Sequence, residues 1–324
     1  MNRVQIPHSE LSVYPICLGC GPLGSTLDND ASFRMLDAYL AAGGNFIDTA
    51  KVYADWLPVE RSISEKTIGE WLHERRNRSR VVLSTKGAHP DLAAMHIPRM
   101  SPAEITGDLQ ASLQHLGVET IDIYWLHRDD PSRPVSEILE TLAQQVQAGK
   151  IRYFGCSNWK TWRIREAQAY AADHGLPGFT GNQMMWSLAA ADPNRLADKT
   201  LALMEPAMWS YHLESGLAAV PYTSQAGGYF TKLAENRVNN PSGGRVSNPA
   251  NPYDTHQNRA RLERIRQISA QTGLSITQIV LGYLRAQPFT TVPIVGPKTL
   301  AQLQDCLTAA EVQLSPEQVA FLEK

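Results

Sequence analysis

Short apolar runs alternate along the chain with longer amphipathic segments. The runs 45–47, 81–84 and 121–126 are apolar at consecutive positions and contain β-branched or aromatic residues. This pattern is typical of strands that are buried on both faces of a parallel sheet. Together with similar runs elsewhere it predicts eight strands, at 15–19, 45–48, 81–85, 121–126, 151–156, 179–183, 217–221 and 291–295.

The segments between these strands have helical periodicity and helix-end signals. Ser101 stands before an apolar periodicity, so we expect a helix over 102–116 with Ser101 as its N-cap. A second helix is expected over 135–148, ended by Gly149. Eight strand–helix units predict the α/β class and a (β/α)8 TIM barrel. The segment HSELSVY before the first strand is expected to form a short N-terminal hairpin that plugs the barrel floor.

Two segments do not fit this alternation. Segment 189–206 is longer than a strand connection needs and is flanked by Trp186 and Trp209, which favours either a substrate wall or a packed surface helix. Segment 234–257 is rich in Asn, Pro, Gly and Ser and has almost no periodicity, which predicts a long loop. Such a loop is either a functional clasp or a mobile surface loop.

The bulk composition is that of one globular domain over residues 1–324. With 43% hydrophobic residues in 324 positions, the chain has enough core for a single barrel. The 30 basic and 32 acidic residues nearly cancel, so neither nucleic acid nor an anionic membrane is an expected partner. No signal peptide or membrane span is visible, and we expect a cytoplasmic protein. The oligomeric state stays open.

Cysteine use agrees with a reducing compartment. The four cysteines are few for a chain of this length and give no disulfide framework. Cys17 and Cys20 have the spacing of a redox or metal motif. No second close pair completes a zinc site, and the motif leaves a predicted buried strand instead of opening a helix. We therefore expect neither a redox role nor a metal.

Four polar side chains stand at or just after the ends of three predicted strands: Asp48, Tyr53, Lys86 and His127. In a closed barrel the loops after the strands converge on one face, so these groups can meet although they are distant in sequence. Taken singly, each has a structural explanation, such as a buried ion pair or a turn residue. Their convergence favours a catalytic site.

The chemistry of these four groups suits the protonation of a carbonyl oxygen. A phenol has a pKa of about 10, and the ammonium of Lys86 beside Tyr53 should lower it. Asp48 would act through the lysine by keeping it charged and in place. His127 would orient the carbonyl by a hydrogen bond. Because none of the four is a reductant, a cofactor must supply hydride.

Several longer motifs carry a resemblance to one family: DTAKVY (48–53), STK (84–86), LHRDDP (126–131), GCSNW (155–159), NQ (182–183), PYTSQAGG (221–228) and IVGPK (294–298). In order and context they resemble the aldo-keto reductases over nearly the whole chain. The branch with bacterial reductases and potassium-channel β subunits looks most similar. The resemblance implies a (β/α)8 barrel that binds a nicotinamide cofactor, usually NADPH, without a Rossmann domain.

The resemblance also implies roles for single residues. Tyr53 would be the general acid, tuned by Lys86 and Asp48, and His127 would orient the substrate. The implied cofactor contacts are Gly21, Ser157, Asn158, Gln183, Tyr222, Thr223, Gln225, Ala226, Gly227, Gly228, Lys298, Thr299, Gln302 and Asp305.

Different parts of the cofactor would meet different contacts. Ser157, Asn158 and Gln183 would hold the nicotinamide carboxamide, and Tyr222 would stack on its ring. The backbone of 226–228 would line the pyrophosphate. Lys298 and Thr299 would meet the adenosine phosphate, while Gln302 and Asp305 would lie near the adenine. We expect NADPH, with NADH possible, and the loop 234–257 would then lie on the cofactor side.

The chain departs from the family pattern at a few positions. Trp186 stands where a tyrosine is common, TSQ replaces SPL after Tyr222, and Cys306 replaces an asparagine. Gln302 stands where other members have an arginine. The residues expected to line the substrate pocket are Trp56, His89, Arg128 and Trp186, with Trp209 nearby. An aromatic wall with a few polar groups suits a small aromatic or sugar-like carbonyl.

A competing interpretation rests on Gly19, Gly21 and Gly24, which spell G-x-G-x-x-G after an apolar run. A Rossmann dinucleotide site has this motif. Pro22, however, removes an amide where phosphate needs donors, and the next helix is expected only near residue 31, capped by Asp28 or Asp30. This interpretation also leaves the tyrosine, lysine and histidine without roles, so we expect the glycines to be structural.

Two functions from different classes remain. The first is an NADPH-dependent carbonyl reductase, reversible with alcohol oxidation, which all four catalytic residue types favour. The second is a cofactor-binding regulatory or interaction subunit on the same barrel with little turnover. A metal hydrolase is weaker, because His127, Asp129 and Asp130 lack a converging set of further ligands.

Overall fold

The computed structural model describes residues 3–235 and 251–324. Within this part of the chain lie ten strands: β1 Val4–Gln5, β2 Ser12–Val13, β3 Cys17–Gly19, β4 Phe46–Asp48, β5 Val82–Gly87, β6 Ile121–Leu126, β7 Ile151–Ser157, β8 Gly181–Gln183, β9 Ala218–Ala219 and β10 Ile294–Val295. Strands β3 to β10 form one parallel sheet in chain order, and β10 returns to pair with β3. All eight predicted parallel strands are present.

Hydrogen bonds between β9 and the segment before β10 complete the barrel. Ala219 forms a parallel bridge with Thr291. The N–H of Ala219 donates to the carbonyl of Thr290, and the N–H of Val292 donates to the carbonyl of Ala219, both at 2.9 Å. These bonds join the two ends of the sheet, which confirms the predicted (β/α)8 architecture.

Helices follow the strands, and several begin at the predicted caps. Ser101 caps the helix that begins at Pro102: its hydroxyl accepts from the N–H of Glu104, and the Glu104 carboxylate accepts from the N–H of Ser101. This capping box satisfies amides that the first turn would leave unpaired. The helices are α1 Asn29–Ala41, α2 Ile63–Arg75, α3 Pro102–Leu116, α4 Val135–Gln147, α5 Thr161–His174, α6 Pro206–Ser215, α7 Tyr229–Ala234, α8 His256–Thr272, α9 Ile276–Arg285, α10 Leu300–Thr308 and α11 Pro316–Glu323.

The barrel strands are apolar on both faces because two hydrophobic layers meet them. Phe46, Ile123 and Trp125 pack inside the barrel. Their neighbours Ile47 and Tyr124 pack in the outer layer, between the strands and the helices. Side chains alternate across a strand, so consecutive apolar residues serve both layers.

The N-terminal hairpin closes the lower end of the barrel. Strands β1 and β2 pair antiparallel with Val4 opposite Val13. Ile6, Leu11 and Val13 are buried in the same cluster as the inward-facing barrel residues. The predicted plug is therefore confirmed.

Two of the three glycines of the G-x-G-x-x-G motif, Gly19 and Gly24, serve packing. An added Cβ at Gly19 would lie 2.7 Å from a side-chain atom of β10, and one at Gly24, where φ is +68°, would lie 2.2 Å from Oγ1 of Thr67. Helix α1 begins only at Asn29, where the carboxylate of Asp28 caps it. In a closed barrel with this late helix the Rossmann interpretation does not hold.

The Cys17–Cys20 pair gives no redox motif in the fold. Both cysteines are buried and free. Cys17 packs inside the barrel and Cys20 in the outer layer. Burial raises the pKa of both thiols, which disfavours the reactive thiolate.

The structure describes all of segment 189–206 and only the two ends of the predicted loop 234–257. Segment 189–206 contains only a single turn of 3-10 helix, Pro193–Arg195, before α6 begins, so the packed-helix alternative is wrong. The predicted loop 234–257 ends at α8, which begins at His256. Residues 236–250 of that prediction lie outside the described residues.

Neither a membrane span nor a metal cluster is found in the described part of the chain. Across residues 3–235 and 251–324, no helix has the length and apolar character needed to cross a bilayer. The same residues contain no group of three or more His, Cys, Asp or Glu side chains placed to share a metal ion.

Candidate active site

Four polar groups meet at the C-terminal ends of neighbouring barrel strands. Asp48 is the last residue of β4, and Tyr53 lies in the turn that follows. Lys86 lies near the end of β5, and His127 follows β6 directly. Asp48, Lys86 and His127 are buried. The structure thus brings together all four residues that the strand-end argument selected.

The ammonium of Lys86 is the centre of this group. It donates hydrogen bonds to Oδ2 of Asp48 at 2.5 Å, to the carbonyl of Thr49 at 2.7 Å and to the hydroxyl of Tyr53 at 2.8 Å. A lysine has three donor hydrogens, and all three are used here. Desolvation alone would lower the pKa of Lys86, but the charge and hydrogen bonds of Asp48 and Tyr53 raise it. The lysine therefore stays charged.

Asp48 is held from two directions across the barrel. Its Oδ1 accepts from the hydroxyl of Ser84 at 2.7 Å and from Nε2 of Gln183 at 2.9 Å. Ser84 lies on β5 and Gln183 on β8, on the opposite side of the barrel interior. These bonds fix the carboxylate and leave Oδ2 for the lysine.

The balance of effects on Tyr53 differs from the expectation. Burial raises the pKa of Tyr53, and the ammonium of Lys86 lowers it by less, so the pKa is above its ordinary value. The negative charge of Asp48 also raises the pKa of Tyr53 directly. The expected lowering of the pKa of Tyr53 by Lys86 is present, but desolvation, which the expectation left out, outweighs it.

His127 is a neutral imidazole in this environment. Burial, and then the nearby charge of Arg128, hold the pKa of His127 well below its usual value. Its ring lies 6.0 Å from the ring of Tyr53, in an edge-to-face arrangement. Its Nδ1 is buried and has no hydrogen-bond partner among the described residues. A neutral ring has one N–H to offer to a carbonyl oxygen.

The residues expected near a nicotinamide ring lie beside these four groups. Asn158 donates to the carbonyl of His127 and to the hydroxyl of Ser157, and its Oδ1 accepts from the hydroxyl of Tyr222 at 2.5 Å. Gln183 donates to Asp48, but its Oε1 is buried without a partner among the described residues. A buried acceptor that lacks a donor is costly, and a carboxamide N–H would satisfy it.

The backbone after β9 forms the turn expected to face a pyrophosphate. Thr223, Ala226, Gly227 and Gly228 all have positive φ, between 52° and 77°. A Cβ added at Gly227 would meet no atom within 4 Å, so the space beside this backbone is open. Gln225 donates to the sulfur of Cys306 at 3.2 Å.

On the other side of the site, Gly21 follows β3. A Cβ built there would lie 3.7 Å from the ring of Tyr53, so Gly21 is beside the tyrosine. Ser224, which the sequence analysis did not select, donates to the carbonyl of Ile294 and ties the turn after β9 to β10.

The residues expected at the adenosine end lie at the start of α10. Thr299 caps this helix by accepting from the N–H of Gln302, and Oε1 of Gln302 accepts from the N–H of Lys298 at 2.8 Å. Lys298 and Thr299 are exposed. The carboxylate of Asp305 accepts from the hydroxyl of Ser275, so it is partly engaged in the fold.

Two of the four predicted substrate residues lie beside the four polar groups. The ring of Trp56 lies 6.4 Å from that of Tyr53, and its side chain is 59% exposed. The ring of His89 lies 4.7 Å from that of His127. Both positions suit contact with a substrate at the entrance.

The other two also contact later segments of the chain. Arg128 forms a salt bridge with Asp198 at 2.9 Å and donates to Thr200, which anchors segment 189–206 to the barrel. The ring of Trp186 packs against Tyr283 and Phe289 and makes no ring contact with the catalytic groups in the described residues. Trp209 also packs against Phe289.

A cavity of about 490 Å³ lies between the loops that follow β4 and β5, and Lys86 is the member of the four polar groups that lines it. Lys51, Asp108 and Arg99, which the sequence analysis missed, line it. Asp108 binds the ammonium of Lys51 at 2.9 Å and the guanidinium of Arg99 at 3.0 Å. Asp108 lies on the apolar face of α3 next to Leu109. An acidic residue on that face is the sequence signal that could have identified it.

Fold and site together define a (β/α)8 barrel with a buried Asp–Tyr–Lys–His group at the C-terminal ends of its strands. The sequence pattern of the Aldo/keto reductase family matches residues 15–324. The chain belongs to the aldo/keto reductase family, and it is an oxidoreductase.

Individual relatives match over nearly the full length. The uncharacterized oxidoreductase YrpG of Bacillus subtilis is 30% identical over 99% of this chain and 95% of its own. An aryl-alcohol dehydrogenase [NADP(+)] of Phanerodontia chrysosporium is 29% identical over 99% of this chain and 84% of its own. The norsolorinic acid reductase stcV of Emericella nidulans is 28% identical over 99% of this chain and 80% of its own.

Proposed function

We propose that this protein reduces an aldehyde or ketone to an alcohol with NADPH, reversibly, and that Tyr53 is the general acid. One observation carries the proposal. The ammonium of Lys86 joins the carboxylate of Asp48 to the hydroxyl of Tyr53, in a buried site that opens beside a cavity. A neutral histidine stands next to that hydroxyl.

The phenol of Tyr53 keeps its proton until the substrate carbonyl oxygen accepts it. Because burial keeps the pKa of Tyr53 above its ordinary value, the phenol is protonated at neutral pH. When a carbonyl oxygen gains negative charge, its basicity rises and the phenol can donate. The ammonium of Lys86, 2.8 Å from the phenol oxygen, then stabilises the phenolate that forms.

His127 would hold the same carbonyl oxygen from a second direction. As a neutral imidazole it donates one N–H without adding positive charge that would raise the acidity of its neighbours. Two donors on one oxygen orient the carbonyl and polarise it.

The cofactor residues fit a nicotinamide. Oε1 of Gln183 has no hydrogen-bond partner among the described residues, and a carboxamide N–H would supply one. Ser157 and Asn158 would bind the same group, and Tyr222, whose hydroxyl Asn158 holds, would stack on the ring. Lys298 and Thr299 would bind the 2′-phosphate, which favours NADPH. The nicotinamide, when bound, supplies the hydride.

The names of the relatives support a carbonyl or alcohol substrate. One relative is named an aryl-alcohol dehydrogenase [NADP(+)] and another a norsolorinic acid reductase. Trp56, exposed beside Tyr53, provides an aromatic surface for a ring. We propose that the substrate is a small-molecule carbonyl compound.

The test is a screen of NADPH oxidation with a panel of aldehydes, ketones and sugars, using wild type and Tyr53→Phe in parallel. Turnover that is carbonyl-dependent and lost in the variant supports the proposal. Tight NADPH binding with no turnover on any carbonyl would contradict it and favour the cofactor-binding subunit instead.

A further inference from the structure

We propose that His89 determines substrate specificity by accepting a hydrogen bond from a hydroxyl that the substrate carries near its carbonyl. The inference rests on the proposed function and names the substrate class more closely. It predicts a hydroxylated carbonyl compound, and an aromatic one in preference to an aliphatic one.

The hydrogen bonding of His89 fixes which ring nitrogen is free. Its Nδ1 lies 2.7 Å from the carbonyl oxygen of Pro90. A carbonyl oxygen only accepts, so Nδ1 must carry the hydrogen. In the neutral ring Nε2 then has a lone pair and no hydrogen.

The surroundings keep the ring neutral. Burial first, and the charge of Arg128 next, lower the pKa of His89. The ring borders the cavity, and Nε2 has no hydrogen-bond partner among the described residues. His89 therefore offers the cavity an acceptor, which selects a donor on the ligand.

The position of His89 places this acceptor close to the reacting carbonyl. Its ring lies 4.7 Å from that of His127, which in turn lies 6.0 Å from that of Tyr53. The guanidinium of Arg99 donates to the carbonyl of His89 at 3.2 Å and is held by Asp108. This backbone anchor keeps the ring in place, as a specificity contact requires.

The rim of the cavity favours an aromatic body over a sugar. Seven large hydrophobic side chains are exposed in the described part of the chain, and four of them lie on the two loops after β4 and β5: Trp56, Val59, Leu92 and Ile97. Of these four, Leu92 lines the cavity beside His89, and Trp56 lies next to Tyr53. Exposed apolar side chains concentrated on two neighbouring loops mark a surface that an apolar ligand covers. An aromatic ring would contact these loops while its hydroxyl reaches His89.

The experiment compares substrates that differ only in the donor. Meta-hydroxybenzaldehyde carries a hydroxyl that does not conjugate with the carbonyl, and meta-methoxybenzaldehyde keeps the oxygen but has no hydrogen to donate. We expect kcat/KM to be about 5- to 10-fold higher for the hydroxyl compound, the range for one neutral hydrogen bond. Hydroxyacetone and methoxyacetone form the aliphatic pair, for which we expect lower kcat/KM values overall.

Variants show whether His89 is responsible. His89→Phe keeps an aromatic ring but no acceptor, and it should bring the hydroxyl-to-methoxyl ratio to about 1 while changing kcat/KM for the methoxyl compound far less. His89→Gln retains an acceptor and should restore part of the ratio. A merely structural role for His89 would lower kcat/KM equally for both substrates.

The outcomes separate the two proposals. An equal kcat/KM for each pair in wild type, or a ratio unchanged in His89→Phe, would overturn the role of His89 while reductase activity stands. A higher kcat/KM for hydroxyacetone than for the aromatic pair would overturn the aromatic preference. Failure to turn over any carbonyl would overturn the proposed function, and this inference with it.

Discussion

The ammonium of Lys86 lies 2.8 Å from the hydroxyl of Tyr53, yet the pKa of Tyr53 is above its ordinary value because burial outweighs the ammonium. A charged lysine beside a phenol would suggest a ready phenolate. In this site burial keeps the phenol of Tyr53 protonated, and the ammonium of Lys86 can stabilise the phenolate only once the proton has left. The arrangement therefore suits a general acid better than a nucleophile or a base.

Replacing Tyr53 by Phe tests the proton donor. The ring and its contact with Trp56 remain, but the transferable proton is lost, so kcat should fall by about 100-fold or more. The affinity for NADPH should stay nearly unchanged, as measured by titration of protein fluorescence. Tyr170→Phe, which removes an exposed hydroxyl bound to Glu140, is the matched control. A near-normal kcat for Tyr53→Phe would refute the assignment.

Charge removal at Lys86 and at Asp48 should move the pH profile in opposite directions. Lys86 lowers the pKa of Tyr53 and Asp48 raises it. Reduction by a general acid declines as pH rises through the pKa of that acid. Lys86→Met should therefore shift this alkaline limb to higher pH, and Asp48→Asn should shift it to lower pH.

This prediction is checked by kcat/KM profiles of variants shown to be folded by circular dichroism. Lys66→Met is the matched control, because Lys66 on α2 pairs with Glu60 and does not line the cavity. Shifts of the same sign in both variants would mean that Asp48 acts only through the lysine, as the sequence alone suggested.

Asp108 should contribute to stability in a pH-dependent way. Burial alone would raise the pKa of Asp108, but hydrogen bonds from Arg99 and Lys51 hold it below its usual value. A carboxylate whose pKa is lower in the folded protein stabilises the fold at pH values above its unfolded pKa of about 4. This contribution is lost as the pH falls below that value.

Asp108→Asn should therefore lower the free energy of unfolding by about 2 kcal/mol at neutral pH. The difference from wild type should shrink below about pH 4. Urea unfolding at several pH values measures both. Asp173→Asn, an exposed position on α5, should have little effect at any pH. A deficit for Asp108→Asn that stays constant into the acid range would contradict the proposed charge effect.

The strands and the four polar residues at their ends were predictable because they depend on local signals. Runs of consecutive apolar residues predict the buried strands. A polar residue just past the end of such a run lies on the face of the barrel where the loops after the strands converge. Ser101 and Asp28 were likewise predictable as helix N-caps, because each caps the first turn of its helix through a local hydrogen bond.

Contacts between distant segments were not predictable. Arg128 was expected at the substrate, and nothing in the sequence indicated its partners Asp198 and Thr200, which lie 70 and 72 positions further along the chain. Trp186 packs against Tyr283, which no local pattern indicates. The sign of the shift in the pKa of Tyr53 depends on total burial, which sequence spacing does not reveal.

The residues at the start of α10 determine how strongly the protein should prefer NADPH over NADH. Lys298 is exposed beside the helix cap, where its ammonium can bind the 2′-phosphate of NADPH, a contact that NADH lacks. Gln302 is a weaker partner than arginine, and its Oε1 already accepts from the N–H of Lys298. With Lys298 as the one solvent-exposed cation described at the start of α10, the preference for NADPH should be about 10-fold in affinity.

Lys298→Ala should remove most of this preference and leave the Kd for NADH nearly unchanged. Lys150→Ala, just before β7 at the opposite end of the barrel, removes one positive charge far from the site and should leave both affinities unchanged. Gln302→Arg should increase the preference, because a guanidinium can bind phosphate through two hydrogen bonds. Fluorescence titration of both cofactors against all four proteins decides the matter. Equal or tighter binding of NADH to wild type would show that Lys298 does not select the phosphorylated cofactor.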